Sequence, residues 1–174
     1  MIKKKLFSII GNPISHSLSP LLHNYWFKKY KIVANYNLLQ IDESDIEKTL
    51  DKVRKSEISG INVTLPYKQK VLPYLDKVVN DAKSCNSVNT IYLDQNKKLV
   101  GDNTDVYGFQ AGYLKEVVDK SQTNQNALVL GAGGVSPSII YSLKKSNINN
   151  ITVTNRTYEK GIFLKKIFPF IQIL

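Results

Sequence analysis

Three observations predict an α/β protein in two parts. Strand-like and helix-like stretches alternate through roughly the first hundred residues, a polar unpatterned run follows at 119–126, and a strand, glycine-rich turn and amphipathic helix open a second unit at 127. Such alternation calls for right-handed crossovers and a mainly parallel sheet in the first part. The strand–turn–helix of the second is how a Rossmann-type fold begins.

Each element has a local reason. The apolar run Leu6–Ile10 is a strand that ends at Gly11-Asn12-Pro13. Ser19-Pro20 reads as an N-cap followed by proline at the first helical position, with a helix to about Tyr30. Residues 35–41 are a second strand, and Ser44-Asp45-Ile46-Glu47 is a capping-box pattern opening a helix to about Lys55. Residues 58–64 are a third strand, after which Pro66 is expected to start a helical region. Residues 87–93 and 99–101 flank a turn-like stretch and predict a hairpin. A helix over 105–118 precedes the polar run, which is the best linker in the chain.

Composition narrows the class. With 174 residues, 43% hydrophobic and 22% charged, the chain is in the globular range. No apolar run reaches membrane-spanning length. The basic start MIKKKLFSIIGNP has about five apolar residues before Gly11, short of the roughly 7–15 of a secretory signal. The lone Cys85 cannot form an internal disulfide and is expected as a buried small residue, which suits a reducing, cytoplasmic location. A formal charge of +10 raises the question of nucleic acid, but the lysines are scattered and their longest run is Lys3-Lys4-Lys5. A solvated surface, or a field that attracts a small polyanion, accounts for it. Only Arg54 and Arg156 are arginines, so each position is informative.

Residues 127–145 carry the first chemical motif. Gly131 and Gly133 fill the first two places of the dinucleotide fingerprint, and Ser136 takes the third. A phosphate would sit on the free N–H groups of the helix start. The next strand, 150–157, ends in Asn155-Arg156-Thr157, with no acid to meet a ribose 2′-hydroxyl; Glu159 comes later and Lys160 adds a positive charge. An arginine there suits a 2′-phosphate, which favours NADP(H) over NAD. A surface arginine at a strand end is the plainer alternative.

Polar segments also follow strands of the first part. Ser17 and Ser19 stand two residues apart; such hydroxyls can grip a carboxylate or a polyol, or simply cap a helix. In GINVTLPYK, Asn62 and Thr64 share one strand face and Lys68 follows the proline turn, while GDNTD ends in Asp105. Loops beyond the carboxyl ends of strands are where open α/β sheets bind ligands. A lysine oriented by a carboxylate is a workable acid–base pair, and Lys68 with Asp105 would make one. Spacing alone does not set Lys68 apart from the other lysines.

Taken together and in order, NPISHSLSP, GINVTLPYK, SVNT, GDNTD, GAGG and NRT resemble shikimate dehydrogenase. The resemblance implies an oxidoreductase that interconverts 3-dehydroshikimate and shikimate with NADP(H), on the route to chorismate and the aromatic amino acids. It makes the first part (1–104) the substrate-binding domain, 105–126 a connecting helix and linker, and 127–174 an incomplete Rossmann-type NADP-binding domain. Ser17 and Ser19 would bind the substrate carboxylate. Asn62, Thr64, Asn89 and Asp105 would contact its hydroxyls or hold the site together, and Lys68, paired with Asp105, would transfer the proton. Gly131, Ala132, Gly133, Gly134 and Val135 would cradle the pyrophosphate, with Asn155, Arg156, Thr157 and Lys160 around the 2′-phosphate. No metal is expected, nor a nucleic-acid or membrane partner; a homodimer is allowed for a full-length protein.

The chain departs from the family pattern at Val106 (commonly Gly), at Cys85-Asn86-Ser87 before the Val-Asn-Thr, and at Pro137, where an arginine often lies near the cofactor. Family members also run on well past residue 174. The chain is therefore expected to be a fragment with an exposed sheet edge and apolar helix faces, and of uncertain activity by itself. Two other readings remain: a dehydrogenase that also takes quinate or uses NAD, and a non-catalytic shikimate-binding protein.

Overall fold

β1 (Lys5–Gly11) runs between β2 (Ala34–Gln40) and β3 (Gly60–Val63), parallel to both. On the far side of β3, β5 (Thr90–Leu93) and β6 (Leu99–Asp102) continue the sheet as an antiparallel hairpin, and the two-residue β4 (Lys77–Val78) closes it parallel to β6. The order is β2-β1-β3-β5-β6-β4, parallel around β1 and antiparallel at the expected hairpin. Asp94 makes the hairpin turn by accepting the N–H groups of Asn96 and Lys98 at 2.8 and 2.9 Å.

The computed structural model describes residues 4–118 and 125–174, so the expected linker lies outside the described residues as far as 124. The chain divides into two units, one formed by the residues up to Val79 with Val88–Asp102, the other by Asn80–Ser87 with Asn103–Leu174. In the first, α2 (Ile46–Arg54) buries Ile46, Thr49, Leu50 and Val53, the spacing of one helical face. α1 (Ser19–Lys29) is fastened differently: Asn24 donates to the Tyr36 carbonyl at 2.8 Å and accepts its N–H at 2.9 Å.

Three local expectations need correction. Ser19 opens α1 but its side chain caps nothing; instead Ser17 Oγ accepts the Ser19 N–H at 3.3 Å. The capping box at Ser44–Glu47 does not form, because a 3₁₀ turn (Glu43–Asp45) occupies its place and α2 has no side-chain cap. Pro66 starts no helix. Isolated turns follow it, and the Lys68 carbonyl that a helix would use internally accepts the Val88 N–H at 2.8 Å.

The second unit contains α3 (Asn80–Cys85) and a helix that begins as α4 (Asp105–Phe109), widens into a π turn (Gln110–Leu114) and finishes as α5 (Lys115–Val117). Then β7 (Asn126–Leu130), α6 (Ser136–Lys145), β8 (Asn150–Thr154), α7 (Tyr158–Ile167) and β9 (Gln172–Ile173) build an all-parallel sheet of order β7-β8-β9. Ile140, Leu143, Ile151, Val153, Leu164 and Phe168 form its core together with Cys85. Cys85 is fully buried, and that burial pushes its thiol up to about 11, in keeping with a structural residue. Leu128 and Leu130, on the edge strand β7, are exposed.

Candidate functional site

The register of the first unit gathers its polar residues at one sheet edge. Ile10 lies opposite Val63 in a parallel pair, Asn62 opposite Thr90 and Thr90 opposite Asp102 in antiparallel ones. The ends of β1, β3 and β6 and the start of β5 therefore share that edge. It receives Ser17 and Ser19 after β1, Asn62 from β3, Thr64 and Lys68 after β3, and Asn89 just before β5.

Glycine at the end of β1 makes this convergence possible. A Cβ on Gly11 would stand 2.6 Å from Thr64 Cγ2 and 2.9 Å from the Leu65 carbonyl oxygen. With that space open, Asn12 N–H donates to Leu65 O at 3.1 Å and Thr64 N–H to Ile10 O at 2.9 Å. Ser17 and Ser19 are in mutual contact, Oγ to Oγ at 3.2 Å, as a hydroxyl pair would be.

The segment that carries Lys68 is tied down on both sides of it. Buried Tyr67 donates its hydroxyl to Ile41 O at 2.7 Å, Lys70 is ion-paired with Glu43, and the neighbouring Asp42 accepts from Asn12 Nδ2 at 3.1 Å. Residues 41–43 thus anchor both the first loop and the lysine loop. Lys68 itself is half-buried.

Asn62 is the centre of a second network. Its Oδ1 accepts the Tyr36 hydroxyl at 2.7 Å, and its Nδ2 donates to Asn89 O at 3.1 Å and Thr90 Oγ1 at 3.2 Å. Thr90 Oγ1 donates onward to Asn89 Oδ1 at 2.8 Å. The Tyr36 ring is stacked on His23, centroids 4.3 Å apart and planes within 9°. Burial holds the Tyr36 hydroxyl far above its ordinary value and lowers His23 below its own, so both are neutral near pH 7.

In the second unit, Leu130 lies opposite Thr154, so the glycine turn and Asn155-Arg156-Thr157 leave the same edge. Gly131 has φ +110°, a conformation that side chains resist, and its N–H donates to Thr154 O at 2.8 Å. Ser136, in the third glycine position, braces the turn by donating to Gly131 O at 2.8 Å and accepting the Gly133 N–H at 2.9 Å. Asn155 Oδ1 accepts the Ala132 N–H at 3.0 Å. Among the described residues the N–H groups of Gly134 and Val135 make no hydrogen bond. A Cβ on Gly131 or Gly133 would meet nothing within 4 Å, so the face of the turn is open for a ligand to approach. Arg156, Thr157 and Lys160 are exposed, and neither cation has an ion-pair partner among the described residues. The residues present fit a dinucleotide phosphate.

Asp105 opens α4 in the second unit, its N–H donated to Asn103 Oδ1 at 2.9 Å. Asn103 also donates to Ser87 O at 2.7 Å and Ser138 Oγ at 3.0 Å. Tyr36, Tyr67, Thr90 and Asn103 are the functional-site supports that sequence reasoning missed. Tyr67, Thr90 and Asn103 sit inside the motifs GINVTLPYK, SVNT and GDNTD, which was the available signal.

These two units define a class: α/β proteins in which a Rossmann-type nucleotide unit follows a separate α/β unit. Residues 9–91 match the family model described as shikimate dehydrogenase substrate binding domain, and 114–171 match that described as shikimate / quinate 5-dehydrogenase. The chain belongs to the shikimate dehydrogenase family. Shikimate dehydrogenase (NADP(+)) of Pelagibacter ubique is 50% identical over 171 residues, 98% of this chain and 63% of that protein. The Pyrococcus abyssi enzyme is 43% identical over 93% of this chain and 58% of its own length. The crystal structure of shikimate dehydrogenase from Aquifex aeolicus superposes with a TM-score of 0.86 at 34% identity, covering 100% of this chain and 64% of that one. A Thermus thermophilus structure, in complex with NADP(H) and shikimate, gives 0.83 at 29%, covering 98% and 62%. The chain thus spans under two thirds of the length of these relatives. No described helix is long and apolar enough to cross a membrane, and no metal-binding cluster is found among the described residues.

Proposed function

We propose that the protein is the substrate unit and the first part of the nucleotide unit of an NADP-dependent shikimate dehydrogenase. It would reduce 3-dehydroshikimate reversibly to shikimate, in the cytoplasm, on the way to chorismate and aromatic amino acids. The observation that carries this reading is the gathering of Ser17, Ser19, Asn62, Thr64, Lys68 and Asn89 at one sheet edge, in a chain 50% identical to a shikimate dehydrogenase.

Residues 1–104 form the substrate-binding domain in this reading, 105–126 the connection, and 127–174 part of the NADP-binding domain. Ser17 and Ser19 hold the carboxylate; Asn62, Thr64, Asn89 and Asp105 contact the ring hydroxyls or support those that do. Gly131, Ala132, Gly133, Gly134 and Val135 cradle the pyrophosphate, while Asn155, Arg156, Thr157 and Lys160 surround the 2′-phosphate. NADPH, when bound, supplies the hydride for the keto carbon. Lys68, with Asp105 as its carboxylate partner, stabilises the growing charge on the keto oxygen and gives it a proton. In the reverse direction the neutral amine removes that proton. The protein works without nucleic acid or a membrane, and as a homodimer when it has its relatives' full length.

Consumption of NADPH on adding 3-dehydroshikimate tests the reading. Formation of NADH from quinate and NAD instead would favour the broader dehydrogenase, quinate being named in the second family model's description. Calorimetric binding of shikimate without turnover would leave only a binding protein.

A further inference from the structure

The hydrogen bonds around Asn62 run in one direction, and one fixed acceptor sets that direction. The Asn89 carbonyl can only accept, so the Asn62 atom 3.1 Å from it must be the amide nitrogen. Its other atom is then Oδ1, which forces Tyr36 to be the donor in their 2.7 Å contact. The second hydrogen of the same nitrogen goes to Thr90 Oγ1, 3.2 Å away. Thr90 Oγ1 in turn donates to Asn89 Oδ1 at 2.8 Å. Both hydrogens of Asn62 are therefore committed. What Asn62 retains for a ligand is the second lone pair of Oδ1.

We propose that Tyr36 and Thr90 are positioning residues that fix the polarity of the site, making Asn62 a hydrogen-bond acceptor towards the ligand. This deepens, and rests on, the shikimate reading above. A polyol acid would have to present a hydroxyl hydrogen to Asn62. A ligand carrying a keto oxygen opposite Asn62 would meet two acceptors face to face and be rejected. The reacting carbon, which alternates between hydroxyl and keto, would then lie away from Asn62.

The surroundings favour a relay that does not switch. Tyr36 is 3% exposed, and its raised hydroxyl value keeps it a donor across the physiological range. Its backbone is held by Asn24 on α1, and its ring rests on a neutral His23. Neither contact involves the hydroxyl, so Tyr36→Phe deletes one donor and leaves the ring packing in place.

The test uses the whole chain with Tyr36→Phe, Thr90→Val and Thr90→Ser. Side-chain amide resonances of Asn62 and Asn89 report the relay without any ligand. Calorimetry with shikimate reports its effect on binding. In Tyr36→Phe and Thr90→Val the amide hydrogens of Asn62 should shift and exchange faster with water, and shikimate affinity should fall about tenfold. Thr90→Ser, which keeps the hydroxyl, should restore both. Unchanged amide resonances in Tyr36→Phe would overturn the relay, and unchanged shikimate affinity would overturn its role in recognition. If the wild-type chain took up no shikimate, the substrate reading would fall, and the amide resonances would still decide the relay.

Discussion

Asn155 Oδ1 accepts the Ala132 N–H at 3.0 Å, joining the end of one strand of the nucleotide unit to the glycine turn at the end of its neighbour. Ser136 braces the same turn from within, between Gly131 O and the Gly133 N–H. Two of the turn's N–H groups are thereby spent on its shape, and those of Gly134 and Val135 make no hydrogen bond among the described residues.

Asn155→Ala and Ser136→Ala should each loosen the turn by about 1 kcal/mol. NADPH affinity should fall about five- to tenfold in a fluorescence titration, while shikimate binding stays unchanged. Equal losses for both ligands would indicate general unfolding instead.

Arg156→Ala should weaken NADPH binding by about tenfold or more and leave NADH binding nearly unaltered, because a 2′-phosphate alone engages the guanidinium. Titration of the unsubstituted protein with both cofactors completes the comparison. Tighter binding of NADH there would contradict the assignment.

Two glycines should respond in opposite ways to an added methyl. Gly11→Ala forces Thr64 and Leu65 away and should cost about 1–3 kcal/mol in thermal unfolding. Gly133→Ala meets only open space within the chain, so stability should hold while NADPH affinity drops. Loss of stability in Gly133→Ala would show that its glycine serves the fold.

Arg54 grips Asp76 with two nitrogens, at 2.6 and 3.1 Å, and Asp76 also accepts the Leu99 N–H at 2.7 Å. These bonds lower the Asp76 carboxyl from 3.8 to about 2. A depressed carboxylate contributes stability above its unfolded value, and that contribution fades as pH falls from about 4 towards 2. Asp76→Asn should flatten this part of the acid unfolding profile. A profile identical to wild type would rule out the contribution.

Elements with period and punctuation of their own were legible in the sequence. β1, the hairpin and the strand–glycine–helix unit stand where apolar runs and turn residues put them. Features decided by tertiary partners were not. The stretch after Pro66 reads as a helix start, but Val88 takes the Lys68 carbonyl and Ile41 takes the Tyr67 hydroxyl. The site residues themselves came from ordered motifs, whereas Tyr36 looks like an ordinary strand residue until tertiary packing brings it to Asn62. Cross-strand hydrogen bonding leaves no local mark on it.

The central claim places proton transfer on Lys68. Steady-state oxidation of NADPH by 3-dehydroshikimate, compared between the unsubstituted protein and Lys68→Ala, tests it most directly. Turnover should fall by about a hundredfold or more, with a much smaller change in shikimate affinity. A Lys68→Ala protein that turns over normally would contradict the account.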